Sequence, residues 1–258
     1  MKKTLNLQQL RQGIRDVLID FRENGVANQL DEQYGKPKYE QMSFEQRLLI
    51  ALSNEQLRRS QVRYERLVRH SGMRTVERVA RLEDILFTPS RKLNRALIEQ
   101  LKTGDWMTRE NPANLIICGA CGTGKSFMAG AFANDACERN ISVMFCDAAI
   151  VLSEIAAARM NGSLEKKLKQ ISKAKLLILD DLFSSTLTEQ NCADLLQIIK
   201  HREHLHSMII TSQYPLQTWR DILKHNVVSD AILDRLINSS YCLDLKGPSL
   251  RKSILFNK

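Results

Sequence analysis

The stretch "GACGTGKS", Gly119 to Ser126, constrains this chain more than any other feature. It has the spacing G-x-x-x-x-G-K-[ST], follows the aliphatic run "NLIIC", and opens the helical pattern "SFMAGAFANDACERN". A loop in that strand–helix context does one thing well. Its glycines let the backbone turn tightly, so successive N–H groups point inward at phosphate oxygens. The positive end of the following helix adds to the field. Gly119, Ala120, Cys121, Gly122, Thr123, Gly124, Lys125 and Ser126 are expected to form a nucleotide cradle. Lys125 is to reach the β- and γ-phosphates, and the Ser126 hydroxyl is to ligate Mg²⁺. ATP and Mg²⁺ are therefore the expected cofactors.

A loop of this kind needs an acidic partner at the edge of a parallel sheet. "AKLLILDD" supplies it, as four aliphatic residues suited to a doubly buried strand end in Asp180 and Asp181. Asp180 is expected to orient Mg²⁺ through water, and Asp181 to polarise the attacking water as general base. A later run, "SMIITSQYP", ends in Gln213, a candidate contact for the γ-phosphate or the water, with Ser212 as the alternative. From Asn114 onward the runs "NLIICG", "ISVMFCD", "AKLLILDD" and "SMIITSQ" alternate with helical patterns. That order predicts an α/β layered domain with a parallel sheet flanked by helices.

The first hundred residues read as helical. Leu7, Leu10, Ile14, Leu18 and Phe21 form one apolar stripe. Gly25, Gly35 and Pro37 then predict a break. From the capping pattern Ser43-x-x-Gln46 the chain runs without Gly or Pro to Ser71 and Gly72, which predicts one long helix. The predicted division is a helical domain over 1–82 and an ATPase domain over 83–258.

Charge points to a partner. Of a net +9, the larger share lies in residues 1–110, with 21 Lys and Arg against 15 Asp and Glu. On the long helix Arg59, Arg63 and Arg66 share a face with His70, and such a basic stripe suits a polyanion such as DNA as well as a solvated surface. The N-terminus lacks the apolar core of a signal peptide, and no apolar run nears the roughly 18–20 residues that span a bilayer. A cytoplasmic protein with reduced thiols at its six cysteines is expected. The C-x-x-C of Cys118 and Cys121 lies inside the glycine loop with no second pair at ligand spacing, so it does not read as a zinc site. The cluster "HREHLH" reads as a solvated helix end.

In this order "GACGTGKS", "LLILDD", "MIITSQYP", "AILDRL" and "LKGPSLRK" resemble the AAA+ ATPases of the DnaC/IstB clade, most nearly IstB-type transposition helpers of insertion sequences. The upstream stretches "MSFEQRLLIAL" and "LEDILFTPSRKLNRALIEQLKTGDWM" extend the likeness over nearly the whole chain. The short remainder after "GPSLRK" is similar to a clade without a large C-terminal lid. The resemblance implies an AAA+ P-loop core preceded by a smaller all-helical domain. It matches Gly119 to Ser126 to Walker A, Asp180 and Asp181 to Walker B, Gln213 to sensor 1, Arg235 to an arginine finger serving a neighbouring subunit, and Arg251 to sensor 2. Asp181 stands where many relatives carry glutamate, one methylene longer, which implies slow hydrolysis, and Gln213 replaces the more usual asparagine. The family further implies ATP-dependent self-assembly on DNA and recruitment of a cognate transposase. A replicative helicase loader of the DnaC type and a nucleotide-switched binding module are the competing readings.

Overall fold

The computed structural model describes residues 6–224 and 226–250. The described residues fall into two compact units that divide between Glu65 and Arg66.

The first unit is helical. Helix α1 (Leu7–Asp20) starts at Asn6, whose side chain accepts the N–H of Gln9 in a capping box. Helix α2 (Asn24–Gln33) fills only the first part of the expected break, because Val26, Ala27, Leu30 and Gln33 bury one face and outweigh the helix cost of Gly25, while Gly35 and Pro37 interrupt the chain as expected. A Cβ at Gly25 would press on the end of the Glu55 side chain, which would have to shift. Helix α3 (Phe44–His70) begins at Ser43, which exchanges hydrogen bonds with Gln46 as the sequence predicts. The small core joins Val26, Leu30 and Ala51, with Leu18 packed against it. The apolar stripe of α1 otherwise stays exposed, at 72% for Phe21.

The second unit begins within α3, ahead of the 82/83 boundary expected from sequence. The reason lies in residues 71–80. The carbonyl of Ser71 accepts the N–H of Phe145, and short helix α4 (Thr75–Val79) is tied down by Asn134, whose amide donates to the carbonyls of Glu77 and Ala80. A 3₁₀ turn, Pro89–Arg91, then leads to α5 (Arg95–Lys102) and α6 (Asp105–Thr108).

The core follows as β1 (Asn114–Gly119), α7 (Lys125–Glu138), β2 (Val143–Asp147), α8 (Ala148–Met160), α9 (Leu164–Lys173), β3 (Leu176–Asp180), α10 (Glu189–Arg202), β4 (Ser207–Ser212), α11 (Trp219–Ile222), α12 (Val227–Ile237) and β5 (Ser240–Leu245). All pairings are parallel and the strand order is β2-β3-β4-β1-β5. The sequence patterns do not predict strand β5. Its only sequence signal is the alternation of buried Leu243 and Leu245 with exposed Cys242 and Asp244, as an edge strand shows. The middle strands are the aliphatic runs read from sequence, with Leu115 to Ile117 and Leu176 to Ile178 fully buried. They pack against Leu152 and Ile155 of α8 and Leu195 and Ile198 of α10. This is the AAA+ P-loop fold. No helix among the described residues is long and apolar enough to cross a membrane.

Candidate nucleotide site

Strand order brings the site together. Strand β4 lies between β1, which feeds the glycine loop, and β3, which ends in the acids, so three carboxyl ends meet at one edge of the sheet. In the loop Gly122 and Gly124 have φ of 82° and 95°, values that side chains rarely adopt, and Gly124 caps α7. Lys125 is only 6% exposed and no carboxylate pairs with it among the described residues. Its Nζ donates to the carbonyl of Ala120 at 3.2 Å. A buried ammonium in that state fits an anion between loop and acids. Thr123 Oγ1 also donates to the carbonyl of Ala120, which fixes the loop's curl.

Asp180 is 4% exposed and gathers three donors. Ser126 Oγ donates to Oδ1 at 3.1 Å, Thr211 Oγ1 donates to Oδ1 at 2.6 Å, and Arg74 Nη2 reaches Oδ2 at 3.3 Å. Burial pushes its pKa up, while the hydroxyls of Thr211 and Ser126 oppose that push. The hydroxyl of Ser126 and a carboxylate oxygen of Asp180 therefore meet as hard oxygen atoms, the donor type that Mg²⁺ takes. Asp181 turns off the strand at φ 57°, a left-handed conformation that aspartate tolerates, and its N–H donates to Thr211 Oγ1 at 2.8 Å.

A cleft of about 830 Å³ is lined by Cys121, Gly122, Gly124, Lys125, Ser126, Asp181 and Gln213 together with Arg74 and Arg91. Five residues of the sequence-read loop thus share one cavity with Asp181 and Gln213. Ser212 does not compete with Gln213: its hydroxyl is buried and accepts the N–H of Tyr214. Arg235 lies elsewhere. It pairs with Glu203 at 3.1 Å beside a separate cavity lined by Asn114, the first residue of β1, and Met208, the second of β4, so it sits toward the opposite end of the strands. Arg251 lies outside the described residues. Leu250, just before it, donates its N–H to the carbonyl of Gly122 at 2.9 Å.

Three contributors escaped the sequence reading: Thr211, Arg74 and Arg91. Thr211 had a signal, since it stands two residues before Gln213 at a strand end. A single arginine in "SGMRTV" or "TPSRK" carries none.

The basic stripe is uneven. Arg59 donates to Glu55 and Glu23, both at 2.7 Å, whereas Arg63 and Arg66 are exposed and form no ion pair among the described residues.

Comparisons with known proteins point to ATP binding. A family described as IstB-like ATP binding protein matches residues 18–255. The insertion sequence ATP-binding protein y4pL of Sinorhizobium fredii is 34% identical over 229 residues, covering 89% of this chain and 91% of that protein. The ATP-binding protein of insertion sequence IS1162 from Pseudomonas fluorescens is 34% identical over 201 residues, covering 78% and 85%. Among solved structures, the DnaC helicase loader superposes with a TM-score of 0.57 at 20% identity, over 67% of this chain and 100% of that one.

Proposed function

Because the chain belongs to the family of IstB-like ATP binding proteins, we propose that it is a Mg²⁺-dependent ATPase that assembles on DNA and recruits and stimulates the transposase of an insertion sequence. The observation that carries the reading is the hydrogen bond from Ser126 Oγ to Asp180 Oδ1 at 3.1 Å, with Ser126 lining the cleft that also holds Lys125 and Asp181.

Ser126 and Asp180 would hold Mg²⁺, which when bound neutralises charge on the β- and γ-phosphates. The loop amides and Lys125 bind and orient the phosphates. Asp181 accepts a proton from the attacking water, and Gln213 positions that water against the terminal phosphate. With a carboxylate one methylene shorter than glutamate, turnover is slow unless assembly improves the alignment. Arg235, set away from its own cleft, serves the cleft of a neighbouring subunit, which makes hydrolysis depend on assembly. Arg63 and Arg66, aided by Arg59, contribute sequence-blind phosphate contacts, as suits a helper acting at many sites. The relatives' names, which place them in insertion sequences, support the transposition context.

Purified protein tests the reading in two steps. ATP binding should vanish in Lys125→Ala; retained affinity there would remove the nucleotide site. ATP should then drive assembly of the parent on duplex DNA at low salt and raise turnover. Near-zero turnover with and without DNA would leave a nucleotide-switched binding module. Capture of a replicative helicase rather than the transposase would replace the transposition role with that of a loader.

A further inference from the structure

We propose that Arg91 is a second cation of the nucleotide cleft, binding the α- and β-phosphates from the side of the first turn of α7. The inference rests on the nucleotide reading above and adds a residue to that same site.

Arg91 ends the 3₁₀ turn Pro89–Arg91 and is 6% exposed. Its Nη2 donates to the carbonyl of Thr123 at 2.8 Å, while its Nε is buried with no hydrogen-bond partner. No carboxylate pairs with it among the described residues, and burial is what acts on its charge, drawing its pKa down. A guanidinium in that state is costly to keep, because a buried charge needs both an opposite charge and full hydrogen bonding. Arg202 shows the structural alternative. It too leaves Nε without a partner, but its Nη atoms donate to the four carbonyls of Ile171, Ala174, Lys175 and Ser207, as a strut does. Arg91 has one such bond and lines the cleft that holds Lys125 and Ser126.

Position decides which phosphates it serves. A Cβ built on Gly124 would lie 3.3 Å from Arg91 Nη2, so the guanidinium stands against the start of α7. Asp180, with Ser126 and Arg74 on it, marks the metal and γ-phosphate end. Arg91 is therefore the cation for the part that ATP and ADP share, and Lys125 reaches the terminal part. A planar fork of donors meets phosphate oxygens while keeping the Thr123 bond.

The test uses full-length Arg91→Gln, Arg91→Lys and Lys125→Ala proteins, fluorescent ATP and ADP analogues with Mg²⁺, and thermal melting with and without ADP. Arg91→Gln should weaken ATP and ADP by the same factor, about 10-fold or more, the worth of a charge-assisted bond. Arg91→Lys should recover part of that loss. The nucleotide-free melting temperature of Arg91→Gln should hold or rise, since an unpaired buried charge is gone, while the stabilisation by ADP shrinks. Parental affinities in Arg91→Gln with loss only in Lys125→Ala would overturn the Arg91 role and leave the nucleotide site standing. Retained affinity in Lys125→Ala would sink the nucleotide site itself. A loss confined to ATP, or a fall in nucleotide-free melting that accounts for the weaker binding, would also overturn the proposal, the latter by making Arg91 a strut.

Discussion

Replacing Thr211 by valine isolates one atom of the site. The two side chains have nearly the same shape, so no cavity forms, but the hydroxyl is lost. That hydroxyl donates to Asp180 Oδ1 at 2.6 Å and accepts the N–H of Asp181 at 2.8 Å. A hydrogen bond to a charged group contributes about 1.5–3 kcal/mol, and leaving the Asp181 amide unpaired costs about 1–3 kcal/mol. Taking the low halves of both ranges, the loss is about 3 kcal/mol. For a domain of this size that lowers the melting temperature by about 6–12 °C, which leaves a folded protein at room temperature. The functional effect is separate. Thr211 orients the carboxylate that would hold Mg²⁺, and losing such a supporting partner weakens metal affinity about 10–100-fold. Binding of a fluorescent ATP analogue, titrated at a series of Mg²⁺ concentrations, reads this directly. The half-saturating Mg²⁺ should rise by that factor in Thr211→Val, while Thr211→Ser, which keeps the hydroxyl, should stay near the parent. A folded Thr211→Val protein with parental Mg²⁺ dependence would refute the argument that β4 sets the metal-binding geometry of β3.

Arg235→Ala should bind ATP normally yet lose turnover by about 10³-fold, and mixing it with Lys125→Ala should restore part of it because each supplies what the other lacks; no recovery on mixing contradicts a finger acting between subunits. Neutralising Arg63 and Arg66 together should flatten the log–log salt slope of duplex binding by about 2, with Arg59 adding little because Glu55 and Glu23 already hold it; an unchanged slope returns that face to solvent. Arg58, and then Arg59, hold the Glu55 carboxyl down at about 2 against an ordinary value of 4.5. Its contribution to stability is therefore complete above about pH 4.5 and fades as pH falls toward 2. Glu55→Gln should unfold more easily in denaturant at pH 7 by about 1–3 kcal/mol, with the gap to the parent closing at pH 3 and below; a gap that is constant with pH would show that the ion pairs are not its source.

The phosphate cradle, the acidic strand tip and the parallel sheet were legible in the sequence because each is written in consecutive residues. Three glycines and a lysine specify a loop whose backbone does the binding, and four aliphatic residues before two aspartates specify a strand buried on both faces. Residues that act through a distant partner left little trace. Strands β3 and β4 pair Leu179 with Ile210, so the next residues, Asp180 and Thr211, stand level and their side chains meet. That contact exists only through register. Arg74 reaches Asp180 across 106 residues of chain, and Arg91 reaches Thr123 across 32. Helix α2 formed across Gly25, where a break was predicted, because burial of Val26 and Leu30 outweighs local propensity, while the break at Gly35 and Pro37 follows the sequence. The face shared by Arg59, Arg63 and Arg66 followed from helical spacing, but which of them keeps a free charge depended on Glu55 of the same helix and on Glu23, brought in from the start of α2. Local backbone chemistry wrote the motif; the pairing of distant charges and hydroxyls, fixed by strand register and helix packing, decided how its side chains are held.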